Sequence, residues 1–181
     1  MSVCSVSFCR EHLVRSALGL LVAAACSAAV AQVDSAAAAR SLLARGELAA
    51  ALQLIETAVA SSPGDARMRF LGGVVLMELG RDAQALDIFT RLNQAYPELP
   101  DPLNNIALLQ ARAGQLDSAR QSLETALRND PAHRTARINL GLVHLMLAAQ
   151  AWSQALAAVP GDTALLQKLQ RVQTLLAAPT R

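Results

Sequence analysis

Residues 95–114 read AYPELPDPLNNIALLQARAG, and three prolines, Pro97, Pro100 and Pro102, lie within the first part of this stretch. Apolar, alanine-rich sequence lies on both sides of them. A proline cluster of this kind is typical of a linker between domains, of a break in one helix, or of a regular turn between two helices. The spacing of the same residue types elsewhere in the chain distinguishes these possibilities.

Glycine, alanine and proline recur along the chain at one constant spacing. The positions that keep this period are Gly46, Gly80 and Gly114, then Ala51, Ala85 and Ala119, then Pro63, Pro97 and Pro131. Three residue types that keep one period over three copies indicate an internal repeat. The opening prolines are therefore interpreted as turns within a regular array, where Pro100 and Pro102 fall at or before the first turn of a helix.

The repeat resembles that of the tetratricopeptide repeat family, whose unit of two antiparallel helices and two turns has the same length of about 34 residues. The places of the unit are numbered from the start of its first helix. The copies cover residues 32–65, 66–99 and 100–133, followed by a shortened fourth copy at 134–160, a capping helix at 161–178 and a tail at 179–181. The resemblance implies an all-α fold: a right-handed α-solenoid of antiparallel helix pairs, with about 3.5 repeats and a C-terminal capping helix.

Each recurring place has a physical role in such a helix pair. The glycine at place 15 ends the first helix in a left-handed conformation, and the alanine at place 20 lets the two helices approach closely. A large residue at place 24, namely Ile55, Phe89 or Leu123, fills the space between the helices, and the proline at place 32 closes the second helix. The resemblance is closest over residues 66–147, and the tryptophan of the family at place 4 is missing from every copy.

The fourth copy is shorter than the others. Pro160 follows Pro131 five positions earlier than the period requires, while Trp152 and Ala155 keep the spacing of places 24 and 27 before Pro160. The missing residues are places 15 to 19, which form the turn between the two helices. Because good helix formers dominate from Leu140 onward, the sequence predicts one long helix, straight or kinked near residues 148–150. Trp152 then has to pack away from its own repeat.

Residues 1–31 have the features of a signal peptide. Arg10 and Arg15 precede an uncharged apolar run at 17–30, and small residues lie before the bond between Ala31 and Gln32. The run is shorter than the ~20 residues of a spanning helix, so cleavage after Ala31 and a periplasmic location are predicted.

A second interpretation of this segment uses Cys26. The sequence Val22–Cys26 resembles a lipoprotein box, which predicts a membrane-tethered lipoprotein that assists assembly of a pilus or secretion complex. A membrane is a partner only if Cys26 is lipidated or the signal is uncleaved. All three cysteines, Cys4, Cys9 and Cys26, lie before the cleavage site, so a chain cleaved there depends on no disulfide.

Composition and motifs argue against several function classes. Hydrophobic residues make up 53% of the chain and aromatic residues 3%, which favours helix packing, and the net charge of +2 has no basic block that would indicate nucleic acid. His133 is predicted in a turn and His144 at place 11, a core position. No metal-ligand spacing, phosphate loop or nucleophile elbow is found in the sequence. The carboxylates of Asp82, Asp87 and Asp117 are expected on solvated faces. We expect no catalysis, cofactor, metal or small-molecule substrate.

The resemblance implies a concave surface lined by the first helix of each repeat, where places 2, 5, 6, 9, 12 and 13 face a partner. The candidate partner-binding residues are Arg67, Phe70, Asn104, Asn105, Leu108, Arg112, Asn139 and Leu142. Asn105 and Asn139 share place 6, and an asparagine amide can both donate to and accept from an extended peptide backbone. The alternatives are that these asparagines bond locally between helices and that Phe70 and Leu142 serve packing. The sequence thus predicts an adaptor in the cell envelope for a protein or peptide partner.

Overall fold

The computed structural model describes residues 35–177, and within that range helices are joined by short turns without any strand. The predicted signal peptide, its cleavage site, Cys26 and the tail at 179–181 lie outside the described residues. The helices are α1 (residues 35–44), α2 (Leu48–Ser61), α3 (Ala66–Glu78), α4 (Asp82–Ala95), α5 (Pro100–Arg112), α6 (Leu116–Asn129), α7 (Arg134–Ala158) and α8 (Thr163–Ala177). The predicted all-α fold of helix pairs is confirmed.

The chain divides into two compact units. The first ends at Leu79 and contains α1, α2 and α3, with α2 packed against α3. The second begins at Gly80 and contains α4 to α8, in which consecutive helices pack against one another and α5 also contacts α7. The boundary between the units falls in the turn after the first helix of the second repeat.

The periodic glycines end the first helix of three repeats. Gly46, Gly80 and Gly114 have φ angles of 75°, 70° and 75°, in the left-handed region where a Cβ would be strained. Each follows shortly after the end of a first helix, as α5 shows by ending at Arg112. The prediction for place 15 is therefore confirmed, because a single positive φ at this place turns the chain toward the second helix.

Prolines and polar caps determine where the following helices begin. Pro100 is the first residue of α5, a place at which its missing N–H removes no helical hydrogen bond. At the start of α3, Oδ1 of Asp65 accepts from the backbone N–H groups of Arg67 at 3.0 Å and Met68 at 3.1 Å. These local signals favour the observed starts of α3 and α5.

Small and large residues alternate in the core of each unit. In the second unit, Ala119 at place 20 and Leu123 at place 24 are both 0% exposed, and they pack with Leu103 and Ala107 of α5. In the first unit, Ala51 and Ile55 have the same roles in a cluster that joins α1, α2 and α3. The small residue permits close approach of two helices, and the large one fills the remaining space.

The fourth repeat contains one continuous helix, α7, instead of a helix pair. The prediction of a single long helix is confirmed, since the five missing residues would have formed the turn. The N-terminal half of α7 packs on the preceding repeat through Ala136 and Val143, and α8 packs against α7 with Leu169 and Val172 buried.

Among residues 35–177, α7 alone has the length and composition of a membrane-crossing helix, with a mean hydropathy of 1.2 over a window that is 6% buried. Length and composition do not distinguish a spanning helix from a helix of a repeat.

Candidate partner-binding surface

Six of the eight candidate partner-binding residues lie in the second unit. Arg67 and Phe70 are on α3 of the first unit, where Arg67 is exposed and Phe70 is partly buried. The other six are on α5 and α7, and they are Asn104, Asn105, Leu108 and Arg112, then Asn139 and Leu142. Because α5 and α7 contact each other directly, the structure brings the residues of these two helices onto one surface.

A hydrogen bond between two asparagines joins the helices of this surface. Nδ2 of Asn139 on α7 donates to Oδ1 of Asn104 on α5 at 2.8 Å. Asn104 is 5% exposed, and it is the one buried polar or charged residue among those that the structure describes. A polar side chain at this depth is tolerated because its oxygen has a donor, and the bond fixes how the two helices lie side by side.

Asn105 shares place 6 with Asn139, but the two side chains do not bond to the same kind of partner. Nδ2 of Asn105 donates to the backbone oxygen of Asp101 at 2.9 Å, one turn earlier in the same helix. The asparagine that meets Asn139 is thus Asn104, at place 5. Two residues adjacent in sequence point about 100° apart around a helix, so only one of them can face the neighbouring helix.

The asparagine pair keeps hydrogen-bonding capacity beyond its own bond. An asparagine amide has two donors and one carbonyl acceptor, and this bond uses one donor of Asn139 and the oxygen of Asn104. Within the described part of the chain, the NH₂ group of Asn104 and the side-chain oxygen of Asn139 have no further partner. The pair therefore retains one donor group and one acceptor, which are the two kinds of group that hydrogen-bond to the C=O and N–H of a peptide backbone.

The remaining candidates on α5 and α7 frame this pair. Leu108 and Leu142 are each partly buried and supply apolar surface. Arg112 is exposed, but its Nη1 lies 3.2 Å from Oδ1 of Asp82 at the start of α4. The guanidinium thus already has an ion-pair partner, and the surface is apolar and amide-rich in character.

Two contacts that were not predicted from the sequence lie near the start of α5: one reaches the residue before α7, and the other reaches the end of α6. Nε2 of His133 lies 3.1 Å from Oδ1 of Asp101, and Nδ1 of the same ring accepts from the backbone N–H of Ala136 at 3.0 Å. Since Nδ1 accepts, the proton is on Nε2, which donates to Asp101. Nδ2 of Asn129 also donates to the backbone oxygen of Pro97 at 2.6 Å. Both contacts join positions 32 apart, a spacing close to the repeat period that could have revealed them.

The predicted core position of His144 is wrong, because His144 is exposed. In the third repeat, place 11 is Gln110, whose Oε1 accepts a hydrogen bond from Oγ of Ser122 on its own second helix at 2.8 Å. The fourth repeat has no second helix folded against it, so nothing covers its place 11. Asp87 and Asp117 are exposed as expected, while Asp82 is partly buried beside Arg112.

Comparisons with known proteins agree with this architecture. The Tetratricopeptide repeat family model matches residues 36–100 and 104–162. Protein CTR9 homolog of Arabidopsis thaliana is 31% identical over 105 residues, which are 58% of this chain and 10% of that protein. The chain thus corresponds to about a tenth of the length of that relative.

Solved structures of low sequence identity share the fold. TTC0263, a tetratricopeptide repeat protein of Thermus thermophilus, superposes with a TM-score of 0.61 at 21% identity, and the alignment covers 81% of this chain and 83% of the other. The first tetratricopeptide repeat domain of Spaghetti (RPAP3), bound to the HSP90 peptide SRMEEVD, gives a TM-score of 0.58 at 13% identity. That alignment covers 65% of this chain and 93% of the other.

Proposed function

Because the chain belongs to the tetratricopeptide repeat family, whose model matches most of its length, we propose that it is a non-catalytic scaffold of the cell envelope that holds an extended segment of a partner protein against α5 and α7. Proteins of this fold act as interaction scaffolds through the surfaces that stacked helix pairs create.

The observation that carries the proposal is the pair formed by Asn104 and Asn139. The pair spans two first helices of successive repeats, and the NH₂ group of Asn104 and the side-chain oxygen of Asn139 remain as a donor and an acceptor. A residue in an extended chain directs its own N–H and C=O to the same side of the strand, so one residue of the partner can bond to both asparagines at once. Such recognition is independent of the partner's side chains.

The neighbouring side chains limit what the partner can be. Leu108 and Leu142 favour apolar side chains on either side of the partner residue that bonds to the asparagine pair. A C-terminal carboxylate would need a cation on this surface, and Arg112 is already paired with Asp82. We therefore propose an internal segment with apolar residues as the ligand. The peptide complex of Spaghetti (RPAP3) supports the general use of this fold for peptides.

The cell-envelope location rests on the sequence of residues 1–31. A basic start, an uncharged apolar run and small residues before Gln32 are the features that signal peptidase recognises. The second candidate, a lipoprotein tethered through Cys26, rests on the sequence Val22–Cys26 and assigns the same partner-binding surface to an assembly factor of a pilus or secretion complex.

Site-specific photo-crosslinking in the native envelope tests the proposed surface. A benzoylphenylalanine in place of Leu108 should crosslink one partner, and the same group in place of Gln121, which is exposed on α6, is the matched control. The partner should be lost from the Leu108 sample when Asn104→Leu and Asn139→Leu are added. Equal yields from both positions, or a yield that the asparagine changes leave intact, would rule out this surface.

A further inference from the structure

The fourth repeat lacks a second helix of its own, because α7 continues without interruption where the other repeats have a turn. In a complete repeat the second helix covers place 8 of the first, and Ala39 in α1 and Ala107 in α5 are each 1% exposed. The residue at place 8 of α7 is Gly141, and unlike those alanines it is exposed. A Cβ added to Gly141 would meet no atom within 4 Å. A surface that is covered in other repeats is therefore uncovered on α7.

A complete repeat shows which residues should meet on that surface. The hydrogen bond of Ser122 with Gln110 joins place 23 of α6 to place 11 of α5. The same places in the fourth repeat are Ala151 and His144. Both lie on α7, two turns and about 10.5 Å apart along one helix, so they cannot meet within one chain.

These two residues belong to one face of α7, which we call the open face. Its residues recur every three or four positions and are Gly141, His144, Ala148, Ala151 and Ala155. All are exposed except Ala148, which is partly buried. Residues 138–161 contain no Asp, Glu, Lys or Arg, so the open face has no formal charge to be hydrated.

Neither α8 nor the partner-binding surface uses the open face. The large side chains Trp152 and Leu156 in the C-terminal half of α7 are partly buried and lie at the edge of the open face by helix geometry, and α8 packs against α7. Asn139 lies on the far side of the helix, about 160° from Gly141 by helix geometry. The open face can thus take an additional occupant without displacing either.

We propose that the occupant is a second copy of this chain, with the two α7 helices packed antiparallel across a two-fold axis. Residues 148–158 of each copy then serve as the second helix of the other copy's fourth repeat. The register of the complete repeat puts His144 of one copy opposite Ala151 of the other. The contact is reciprocal, as a two-fold axis requires.

Charge and length favour this occupant over an unrelated helix. In the same register, Arg134 at the start of one α7 lies near the turn that follows the other α7, where Asp162 is the first charged residue, so opposite charges come close together at each end of the pair. In this register the two α7 helices overlap over residues 137–158, a length of about 33 Å. The loss of the turn gives the chain a second helix that only another copy can use.

Disulfide trapping of the full chain tests the register directly. In a background with Cys4→Ser, Cys9→Ser and Cys26→Ser, the double variant His144→Cys with Ala151→Cys should oxidise to a covalent dimer of twice the monomer mass. A bridge within one chain is excluded because a disulfide needs Cα atoms within about 7 Å. The matched control, Gln150→Cys with Ala157→Cys, has the same spacing and exposure on another face and should form no covalent dimer.

Light scattering coupled to size-exclusion chromatography tests the role of the missing turn. The unmodified chain should be dimeric at tens of micromolar. Insertion of the turn sequence GQLDS of residues 114–118 between Leu147 and Ala148 should give a monomer, because each copy then folds its own second helix back. Gly141→Gln should weaken the dimer at least tenfold while circular dichroism shows unchanged or increased helix content.

Three outcomes would overturn the proposal. The first is trapping of the control pair as efficiently as the test pair. The second is a dimer that persists after the insertion. The third is an unmodified chain that is monomeric and instead binds phosphatidylglycerol vesicles or another protein through α7. Because the open face excludes Asn104 and Asn139, loss of the dimer and loss of partner binding are distinguishable.

Discussion

At the scale of single residues, polar side chains connect the third and fourth repeats at two levels near the starts of α5 and α7. His133 reaches Asp101 with one ring nitrogen and caps α7 with the other. Asn104 and Asn139 join the same two helices further along. These bonds define the spacing between α5 and α7, and that spacing forms the proposed binding surface.

The capping role of His133 predicts a difference between two substitutions. His133→Ala removes the acceptor for the N–H of Ala136 and should lower the free energy of unfolding by about 1 kcal/mol. His133→Asn keeps an acceptor of suitable reach and should recover most of that loss. Urea unfolding measures both, and equal destabilisation by the two changes would contradict the capping role.

The asparagine pair predicts an asymmetry between single and double substitution. Asn139→Ala alone leaves the oxygen of Asn104 without its donor and should cost about 1–3 kcal/mol. Asn104→Leu together with Asn139→Leu replaces both polar side chains by apolar ones of similar volume. The double variant should therefore lose less unfolding free energy than Asn139→Ala alone. Thermal unfolding is the measurement, with Asn105→Ala as a control within about 0.5 kcal/mol of the unmodified chain. A double variant less stable than the single one would contradict the pairing.

At the scale of helices, the turn that ends each first helix depends on glycine for its backbone conformation. Gly114→Ala should destabilise the second unit by about 1–2 kcal/mol, because a φ of 75° is strained for any residue that carries a Cβ. A steric clash does not contribute, since a Cβ at this position would meet no atom within 4 Å. Gly161→Ala is the control, since it also has space and lacks a positive φ. Chemical denaturation should show a lower free energy of unfolding for Gly114→Ala and an unchanged one for Gly161→Ala.

The helix pairs could be predicted from sequence because their determinants are local. The positive φ angles of Gly46, Gly80 and Gly114 end the first helices without any contact from distant residues. The missing turn before Ala148 in the same way predicts one long helix from the local sequence. The exposure of His144 was mispredicted because place 11 is buried only when a second helix folds back. The bond of Asn139 to Asn104 depends on which of two adjacent asparagines faces α7, and the periodicity of the sequence does not specify that.

At the scale of the whole molecule, the N-terminal sequence predicts how the protein reaches its site of action. Mass spectrometry of the protein from its native envelope should find a mature chain that begins at Gln32. A diacylated Cys26 at the N-terminus would instead support the lipoprotein. An N-terminus at Met1 would contradict both interpretations of the segment before Gln32.

Binding of the partner segment tests the central proposal most directly. The segment identified by crosslinking should be synthesised as a peptide and titrated by isothermal calorimetry into the unmodified chain and into two variants. Asn104→Leu with Asn139→Leu should weaken binding at least tenfold, or about 1.4 kcal/mol, while Asn105→Ala leaves it unchanged. An unchanged affinity in the folded double variant would show that the partner does not bind on the asparagine pair between α5 and α7.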